Sequence, residues 1–347
     1  MFEIAVNSTT YGIVYIAAIS AIAVALTAYD KRAARLGRWR VSELMLMFAA
    51  LVGGSAAMFV SMLAIRHKTR HRKFMVGLPI IIAAQVALVL FVFDSRLTVG
   101  RIEIASAKIA SPVTLVLVAD YHACNYGEGQ RELIEAIDAE RPDAVLLAGD
   151  MFDDKLTPKR TEELLQALSA RYKCYFVLGN HDVCEYRYKG NMEIIRASGI
   201  TMLEGTSEIL RVGESEIRIS GLSDPNVDYW HSGKYERELK QLSATVDSSI
   251  FSLLLVHRPD RIEDEYLPLS PDLVAAGHAH GGQGRIPFIL ENGLYAPDQG
   301  LFPKYTTGTY EFGATTMVVS RGLARETTKL PRVFNRPEIV TIRLVPQ

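Results

Sequence analysis

The first 95 residues differ from the rest of the chain in their pattern of hydrophobic and polar positions. Three stretches there, residues 4–29, 44–65 and 74–93, contain no charged side chain. A run of about 20 apolar residues is long enough to cross the hydrocarbon core of a bilayer as a helix. The pattern therefore predicts an all-α transmembrane region over residues 1–95, with two or three spans, in a multi-pass protein of the cell membrane.

The two connections between these stretches are strongly basic. They carry Lys31, Arg32, Arg35, Arg38 and Arg40, and then Arg66, Lys68, Arg70, Arg72 and Lys73. Basic loops stay on the cytoplasmic side, so both connections are expected on one side, which three full spans cannot achieve. In one arrangement the middle stretch, interrupted by Gly53 and Gly54, is a re-entrant hairpin, and everything after residue 93 lies outside the cytoplasm. In the other, three spans leave the C-terminal region cytoplasmic and the second connection outside. The charge pattern leaves both arrangements open.

Several short segments of this region resemble a small bacterial membrane domain of unknown function. The resemblance covers residues 25–90 and rests on the segments DK at 30–31, GRWR at 37–40, SE at 42–43, GG at 53–54 and RHKT at 66–69. It implies membrane residence and no chemistry. His67 and His71 lie in the second connection with no carboxylate nearby in sequence. We therefore expect them to contact lipid headgroups or the membrane interface rather than a metal.

The remainder of the chain alternates between strand and helix patterns. Strands are predicted at residues 113–119, 144–148, 174–178, 208–212, 217–220, 251–256, 273–276, 316–320 and 339–344, and helices at residues 128–139 and 158–170. Residues 96–111 are predicted to form a linker. There is more strand than one doubly wound sheet needs. The predicted fold over residues 112–347 is therefore α/β, a two-sheet β-sandwich flanked by helices.

Polar residues that can bind metals follow five of the predicted strands. They are Asp120 and His122, Asp150, Asn180 with His181 and Asp182, His257, and His278 with His280. The carboxyl ends of strands in α/β sheets lie close together, and residues two apart in an extended segment project to the same side. Taken singly, each match is more often a turn or a hydrogen-bonded structural residue. Their accumulation at successive strand ends indicates a two-metal site.

The order D-x-H, G-D-x-x-D, G-N-H-D, H, G-H-x-H is similar to the calcineurin-like metallophosphoesterase superfamily, over about residues 112–347. The resemblance implies two divalent metals with a bridging hydroxide that attacks phosphorus. It assigns Asp120, His122 and His280 to the first metal, Asn180, His257 and His278 to the second, and Asp150 to both. By the same analogy His181 protonates the leaving oxygen or stabilises the transition state, and Asp182 fixes the tautomer of His181.

The ligand types narrow the choice of metal without fixing it. Mixed oxygen and nitrogen ligands suit manganese, iron or zinc better than magnesium or calcium. Asp153 has two open interpretations, since it could orient a ligand histidine or begin a turn or helix. The three cysteines, Cys124, Cys174 and Cys184, have no C-x-x-C spacing and are expected to be free thiols.

The predicted function is a hydrolase of phosphoester or pyrophosphate bonds, with a phosphorylated small-molecule or lipid-linked substrate. The segment GHAHGGQGR at residues 277–285, with YAP at 295–297, FPKY at 302–305, SRGL at 320–323 and NRPE at 335–338, is similar to a membrane-associated branch that includes UDP-2,3-diacylglucosamine pyrophosphatase-like enzymes. The alternative is a membrane scaffold or transport protein whose C-terminal domain binds metal or phosphate without turnover. The complete ligand set and His181 argue against it. The membrane anchor and the absence of a basic stripe in residues 112–347 argue against a nuclease, so no nucleic-acid partner is expected.

Overall fold

The computed structural model describes residues 8–183, 187–244, 249–326 and 330–347. The chain divides into two compact units, Met1–Phe93 and Asp94–Gln347. Cys124 and Cys174 are buried free thiols, as predicted, while Cys184 lies outside the described residues.

The first unit is helical. Its helices are α1 (Ser8–Leu36), α2 (Glu43–Ala49), α3 (Ser55–Ala64), α4 (Arg72–Met75) and α5 (Gly77–Val92), with a π-helical segment, Ala50–Gly54, between α2 and α3. Three helical stretches, Thr10–Leu36, Glu43–Ala64 and Arg72–Val92, are long and apolar enough to cross a membrane. This confirms the three predicted apolar stretches. Large apolar side chains such as Leu90 and Phe91 face outward, as they do in a helix whose surroundings are lipid.

His67 has a carboxylate partner that the sequence order conceals. Its Nε2 atom lies 2.7 Å from Oδ2 of Asp30, and both side chains are buried. The expectation that His67 contacts lipid headgroups is therefore wrong, because the fold brings Asp30 beside it from 37 positions earlier in the chain.

The second unit contains two six-stranded sheets. The first has the order β1 (Thr98–Ser106), β14 (Glu338–Pro346), β2 (Val113–Val118), β3 (Ala144–Ala148), β4 (Lys173–Val177) and β5 (Thr201–Met202). The second has the order β12 (Gly308–Phe312), β13 (Thr315–Val319), β9 (Leu273–Ala276), β8 (Phe251–Leu255), β7 (Ser215–Gly221) and β6 (Thr206–Val212). The short strands β10 (Tyr295–Ala296) and β11 (Gly300–Leu301) form a separate hairpin. The helices are α6 (Arg131–Glu140), α7 (Lys159–Ser169), α8 (Tyr188–Ser198) and α9 (Lys234–Ser243). The fold is thus the predicted α/β arrangement of two sheets with helices.

The central strands are apolar throughout because both of their faces are buried. Leu115 and Leu117 of β2 pack in one apolar cluster with Leu253 and Leu255 of β8, between the two sheets. The alternate residues of β2 belong to a second cluster, which includes apolar side chains of α6 and α7. Burial on both faces explains why these strands have continuous apolar sequences.

The predicted linker is wrong over most of its length. Residues Thr98–Ser106 form β1, which pairs in parallel with β14 along its whole length at the edge of the first sheet. Ile102 and Ile104 pack against the core, while the charged Arg101 and Glu103 are exposed. The strand was not predicted because an edge strand has charged residues on its exposed face, so its sequence lacks a continuous apolar run.

Candidate metal centre

The fold brings the predicted metal ligands to one place. Strands β2, β3 and β4 are parallel neighbours, so the loops that follow them begin at the same edge of the first sheet. Strands β8 and β9 are parallel neighbours in the second sheet. The loops after these five strands carry Asp120, His122, Asp150, Asn180, His257, His278 and His280.

Six of these residues, together with His181, form three overlapping groups whose possible ligand atoms lie within 4.8 Å of one another. The groups are Asp120 with His122 and His280, His122 with Asp150 and His181, and Asp150 with His257 and His278. The seventh residue, Asn180, lies beside the third group, with its Oδ1 atom 3.1 Å from Nε2 of His257. The structure therefore gathers all seven predicted ligands into one cluster.

Asp150 belongs to two of the groups. Its Oδ2 atom lies 3.6 Å from Nε2 of His122 and 3.2 Å from Nε2 of His257. Its other oxygen, Oδ1, accepts a hydrogen bond of 2.7 Å from the backbone N–H of His181. One carboxylate oxygen of Asp150 thus faces both halves of the cluster, the position that a shared ligand needs.

The hydrogen bonds of two histidines show which nitrogen of each ring carries a proton. Nδ1 of His257 lies 2.8 Å from the carbonyl oxygen of Ala148, which can only accept, so Nδ1 carries the proton. Nε2 of His278 lies 2.7 Å from Oδ2 of Asp298 and donates to this carboxylate. The two remaining nitrogens, Nε2 of His257 and Nδ1 of His278, are 3.0 Å apart, and both present lone pairs when the two rings are neutral.

Two oxygen acceptors point at the same place. Oδ2 of Asp150 and Oδ1 of Asn180 lie 3.2 and 3.1 Å from Nε2 of His257. When both rings are neutral, these four lone-pair donors repel one another unless a cation lies among them. A divalent metal ion therefore fits this half of the cluster.

The other half shows the same need for a cation. Nε2 of His122 and Nδ1 of His280 are buried, and neither makes a hydrogen bond with any described residue. A buried polar atom without a partner costs about 1–3 kcal/mol. Coordination to a metal ion removes this cost, so the residues present also fit an ion here.

The backbone of the site is strained, and this strain corrects the prediction that the D-x-H and H-x-H pairs lie in extended segments. Asp120, His122, Asp150, His278 and His280 all have positive φ, between 48° and 66°. The D-x-H and H-x-H pairs are therefore turns in the left-handed region and not extended segments whose side chains project to one side. As a result His278 and His280 face different groups of the cluster. Strain of this kind is typical of functional sites.

Glycines allow the backbone to pass close to the two central carboxylates. A Cβ atom on Gly322, which has φ of 69°, would lie 2.4 Å from Oδ2 of Asp120. A Cβ atom on Gly179 would lie 2.3 Å from Oδ1 of Asp150. Both positions therefore require glycine.

His181 pairs with a carboxylate other than the predicted one. Its Nδ1 atom lies 3.0 Å from Oδ1 of Asp154. Burial lowers the pKa of His181. The negative charge of Asp150 and the hydrogen bond with Asp154 outweigh this effect and raise the pKa to about 9. These two carboxylates favour the protonated form of His181, the state that a proton donor requires.

Asp182, predicted to fix the tautomer of His181, instead holds the backbone. Its carboxylate accepts hydrogen bonds from the N–H groups of Asp150 at 2.7 Å, Gly179 at 2.8 Å and Phe152 at 3.0 Å. Burial and the nearby charge of Asp150 raise its pKa to about 7. The catalytic role predicted for Asp182 is therefore corrected to a positioning role, since its oxygens are occupied by amides.

Asp153 combines the two roles left open by its sequence. Its Oδ1 atom accepts hydrogen bonds from the backbone N–H groups of Lys155 at 2.7 Å and Leu156 at 2.9 Å, which makes a turn. Its Oδ2 atom lies 3.4 Å from Nδ1 of His122. Asp153 is therefore placed to orient His122 as well.

Sequence reasoning missed Asp298. This residue contacts His278, and its Oδ2 atom also pairs with Arg258 at 2.7 Å. The hydrogen bond with His278 lowers the pKa of Asp298 to about 2, although burial opposes the shift. Arg258 is held in turn by Asp224, with Nε to Oδ2 at 2.5 Å. Asp298 directly follows the YAP segment at residues 295–297, but nothing in its local pattern indicates contact with a distant histidine.

Two cavities open beside the cluster. One, of about 320 Å³, is lined by His122, His280, Lys155, Tyr295 and Pro297, among others. The other, of about 450 Å³, is lined by Asp154, Asn180, His181, Val183, Asn226, Tyr229 and Trp230. His181 and Asp154 line both cavities. A substrate can therefore approach the cluster with parts of its structure on either side of His181.

Comparison with known proteins agrees with this geometry. Residues 113–282 match the calcineurin-like phosphoesterase family, and residues 20–74 match a family described as a protein of unknown function, DUF1294. The chain is 31% identical to the uncharacterized metallophosphoesterase YkuE of Bacillus subtilis over 238 residues, which cover 66% of this chain and 78% of that protein. It is 26% identical to the phosphodiesterase YaeI of Escherichia coli over 243 residues, covering 68% of this chain and 83% of that protein.

The N-terminal unit has a relative of its own. The uncharacterized protein YsdA of Bacillus subtilis is 37% identical over 60 residues, which cover 17% of this chain and 67% of that protein. The family to which the second unit is similar uses divalent metals, and the His and Asp clusters described above can bind them. The chain therefore belongs to the calcineurin-like phosphoesterase family and is a metal-dependent phosphoesterase with an N-terminal DUF1294 domain.

Proposed function

We propose that this protein hydrolyses phosphoester or pyrophosphate bonds of a lipid-linked or membrane-proximal substrate, with two divalent ions bound in the cluster. The observation that carries the proposal is the position of Asp150, whose Oδ2 atom faces His122 on one side and His257 on the other. A carboxylate between two groups of ligands would allow one residue to hold both ions.

The proposed ligand sets follow the two halves of the cluster. Asp120, His122 and His280 would hold the first ion, Asn180, His257 and His278 would hold the second, and Asp150 would contact both. These nitrogen and oxygen ligands suit manganese, iron or zinc. Two ions held by these residues would polarise the phosphoryl oxygens and would activate a water molecule for attack on phosphorus near neutral pH.

His181 supplies the proton in this proposal. Asp154 occupies Nδ1 of its ring, so Nε2 is the nitrogen that can donate to the leaving-group oxygen. The ring of His181 also packs edge-on against that of His122, with centroids 4.7 Å apart, which keeps it beside the cluster. Asp182 keeps the loops after β3 and β4 together through its backbone hydrogen bonds.

An exposed apolar surface supports a lipid-linked substrate, and it lies on the segment whose Tyr295 and Pro297 line the first cavity. Phe288, Ile289 and Phe302 are 95%, 80% and 69% exposed. They lie on the segment at residues 286–302, which is fixed next to the site because the N–H of Leu294 lies 2.9 Å from the carbonyl oxygen of Gly282. Exposed apolar patches of this kind mark contacts with apolar ligands or membranes. The same chain carries three stretches apolar enough to cross a bilayer.

A UDP-linked acyl sugar and a simple phosphodiester are both candidates within this substrate class. The first follows from the similarity of residues 277–285 to UDP-2,3-diacylglucosamine pyrophosphatase-like enzymes. The second follows from YaeI, which is a phosphodiesterase by name. Both substrates combine a phosphoryl group with a second bulky group, and the two cavities beside the cluster can receive such a pair.

The test compares substrates with the full-length protein in manganese-loaded proteoliposomes. Hydrolysis of a generic diester, a monoester and a UDP-linked acyl sugar is measured for the wild type and for His278→Ala. We expect metal-dependent turnover by the wild type and its loss in His278→Ala. Absence of turnover on all three substrates contradicts the enzymatic proposal and favours a scaffold or transport protein.

A second variant separates the lipid part of the proposal from the chemistry. Phe288→Ser combined with Ile289→Ser removes the two most exposed apolar side chains of this surface without touching a ligand. Turnover of the lipid-linked substrate is expected to fall while turnover of the soluble diester stays unchanged. An equal effect on both substrates contradicts a role of this surface in lipid recognition.

A further inference from the structure

We infer that the middle apolar stretch, Glu43–Ala64, enters and leaves the membrane on the same side, so that the first unit crosses only twice. The chain from Asp94 onward then begins on the non-cytoplasmic side. This inference rests on the first unit alone and does not depend on the substrate proposed above.

The two ends of the stretch lie together. Glu43, its first residue, forms ion pairs with Lys73 at 3.2 Å and Lys68 at 4.0 Å, and both lysines follow the end of the stretch. A continuous helix of these 22 residues would be about 33 Å long and would hold its ends that far apart. The stretch therefore reverses its direction between Glu43 and Ala64.

A buried carboxylate joins both ends to the end of α1. Asp30 lies 3.2 Å from Arg40, which precedes α2, and it lies 2.7 Å from His67 and 3.2 Å from Lys68, which follow α3. The charge of Asp30 is compensated by these neighbours, as a buried carboxylate requires. The first and second basic connections consequently meet at one end of the helical unit.

The reversal takes place at Gly53, about halfway across. Gly53 has φ of 117° and ψ of −5°, and a Cβ atom there would lie 3.4 Å from Ile19. Ile19 precedes Asp30 by eleven residues of α1, or about 16 Å. The hydrocarbon core of a bilayer is about 30 Å thick, so the turning point lies near its middle.

The polar groups freed at the turn have partners, as backbone inside a membrane requires. Nε2 of Gln85 donates to the carbonyl oxygens of Ala50 at 2.9 Å and Leu51 at 2.8 Å, and its Oε1 accepts from Ser55 at 2.5 Å. The hydroxyl of Tyr15 donates to the carbonyl oxygen of Val52 at 2.6 Å. These contacts account for a single glutamine in the otherwise apolar α5.

The third apolar stretch, Arg72–Val92, starts at the end of the helical unit where the two basic connections meet and runs to the opposite end. Lys73, near its start, pairs with Glu43 beside the two connections, and Gln85, farther along, reaches the turning point. The 21 residues of Arg72–Val92 span about 31 Å, enough for a full crossing. Since basic connections stay in the cytoplasm, α5 ends on the opposite side. The catalytic unit therefore receives its substrates outside the cytoplasm.

Labelling of single cysteines by a membrane-impermeant maleimide tests this topology in the full-length protein. Arg38→Cys, Arg70→Cys and Ser95→Cys are each introduced into a Cys184→Ser background, in which Cys124 and Cys174 are buried. All three replaced residues are exposed. In intact spheroplasts we expect labelling of Ser95→Cys alone, and labelling of the other two only after permeabilisation.

Each alternative gives a different pattern. Three full crossings would make Arg38→Cys and Arg70→Cys differ from each other in intact spheroplasts, which overturns the inference. Labelling of both with protection of Ser95→Cys would show the inverted orientation and overturns it as well. The background protein without an added cysteine must remain unlabelled, and metal-dependent diester hydrolysis by each variant shows that it is folded.

Discussion

Oδ2 of Asp298 lies 2.7 Å from Nε2 of His278, on the side of the imidazole that faces away from His257. This contact fixes the proton on Nε2 and leaves Nδ1 free to bind a cation. Arg258 holds the carboxylate from the other side, at 2.7 Å, and is itself held by Asp224. A chain of three charged groups therefore determines the orientation of one proposed metal ligand. Such outer contacts raise ligand basicity and metal affinity.

Asp298→Asn is expected to weaken binding of one of two ions. An amide keeps the shape of the side chain but removes the charge that stabilises the proton on Nε2 of His278. Loss of such a partner lowers metal affinity about 10- to 100-fold. Manganese titration followed by calorimetry should show one weakened and one unchanged site. Asp264→Asn, a change at an exposed residue, is the matched control, and equal weakening of both sites would contradict the assignment of His278 to one ion.

Asp154→Asn is expected to lower kcat with little effect on metal content. The contact with Asp154 holds the ring of His181 and helps to keep it protonated. General acid catalysis contributes about 100-fold or more to turnover, and a misoriented donor loses part of that. Turnover of a diester with a poor leaving group should fall about 10-fold or more, while a diester with a good leaving group, which needs no proton, should be nearly unaffected. Equal losses on both diesters would show that Asp154 serves structure and not proton donation.

Asp182→Asn is expected to lower the stability of the protein more than it changes the catalytic step. The buried carboxylate accepts three backbone hydrogen bonds, and an amide replaces one acceptor oxygen by a donor. A buried hydrogen bond lost in this way costs about 1–3 kcal/mol. Thermal unfolding of the metal-free protein should shift to lower temperature. An unchanged unfolding temperature combined with a kinetic defect like that of Asp154→Asn would restore the catalytic role predicted from the sequence.

Gly322→Ala is expected to remove activity without replacing any ligand. Its Cβ atom would lie 2.4 Å from Oδ2 of Asp120, so the carboxylate must move. Gly308→Ala is the matched control, because Gly308 also has positive φ but nothing lies within 4 Å of its Cβ position. Both variants carry similar backbone strain, and only Gly322→Ala should lose bound metal. Similar metal contents in the two variants would contradict the close approach to Asp120.

The sequence predicted the sheets well where strands are buried on both faces. The predicted strands at residues 113–119, 144–148 and 273–276 correspond to β2, β3 and β9, whose continuous apolar residues leave little ambiguity. Strand β1 was missed because an edge strand keeps one charged face. The metal-binding candidates were found because each follows a buried strand, so that local pattern and three-dimensional position coincide.

The residues missed by sequence reasoning owe their positions to long-range folding. Asp298 reaches His278 only because the segment at residues 286–302 folds back onto Gly282. Asp182 directly follows His181 in the sequence, but the geometry shows that the more distant Asp154 contacts the ring of His181. The pairing of Asp30 with His67 likewise depends on the reversal of the chain at Gly53.

The central claim is that Asp150 holds two ions at once. Its most direct test is the metal content per chain, measured by mass spectrometry after reconstitution with manganese and removal of free ions, for the wild type, Asp150→Asn and His280→Ala. We predict two ions in the wild type and one in His280→Ala. In Asp150→Asn we predict weak binding of both. Two tightly bound ions in Asp150→Asn would contradict the account.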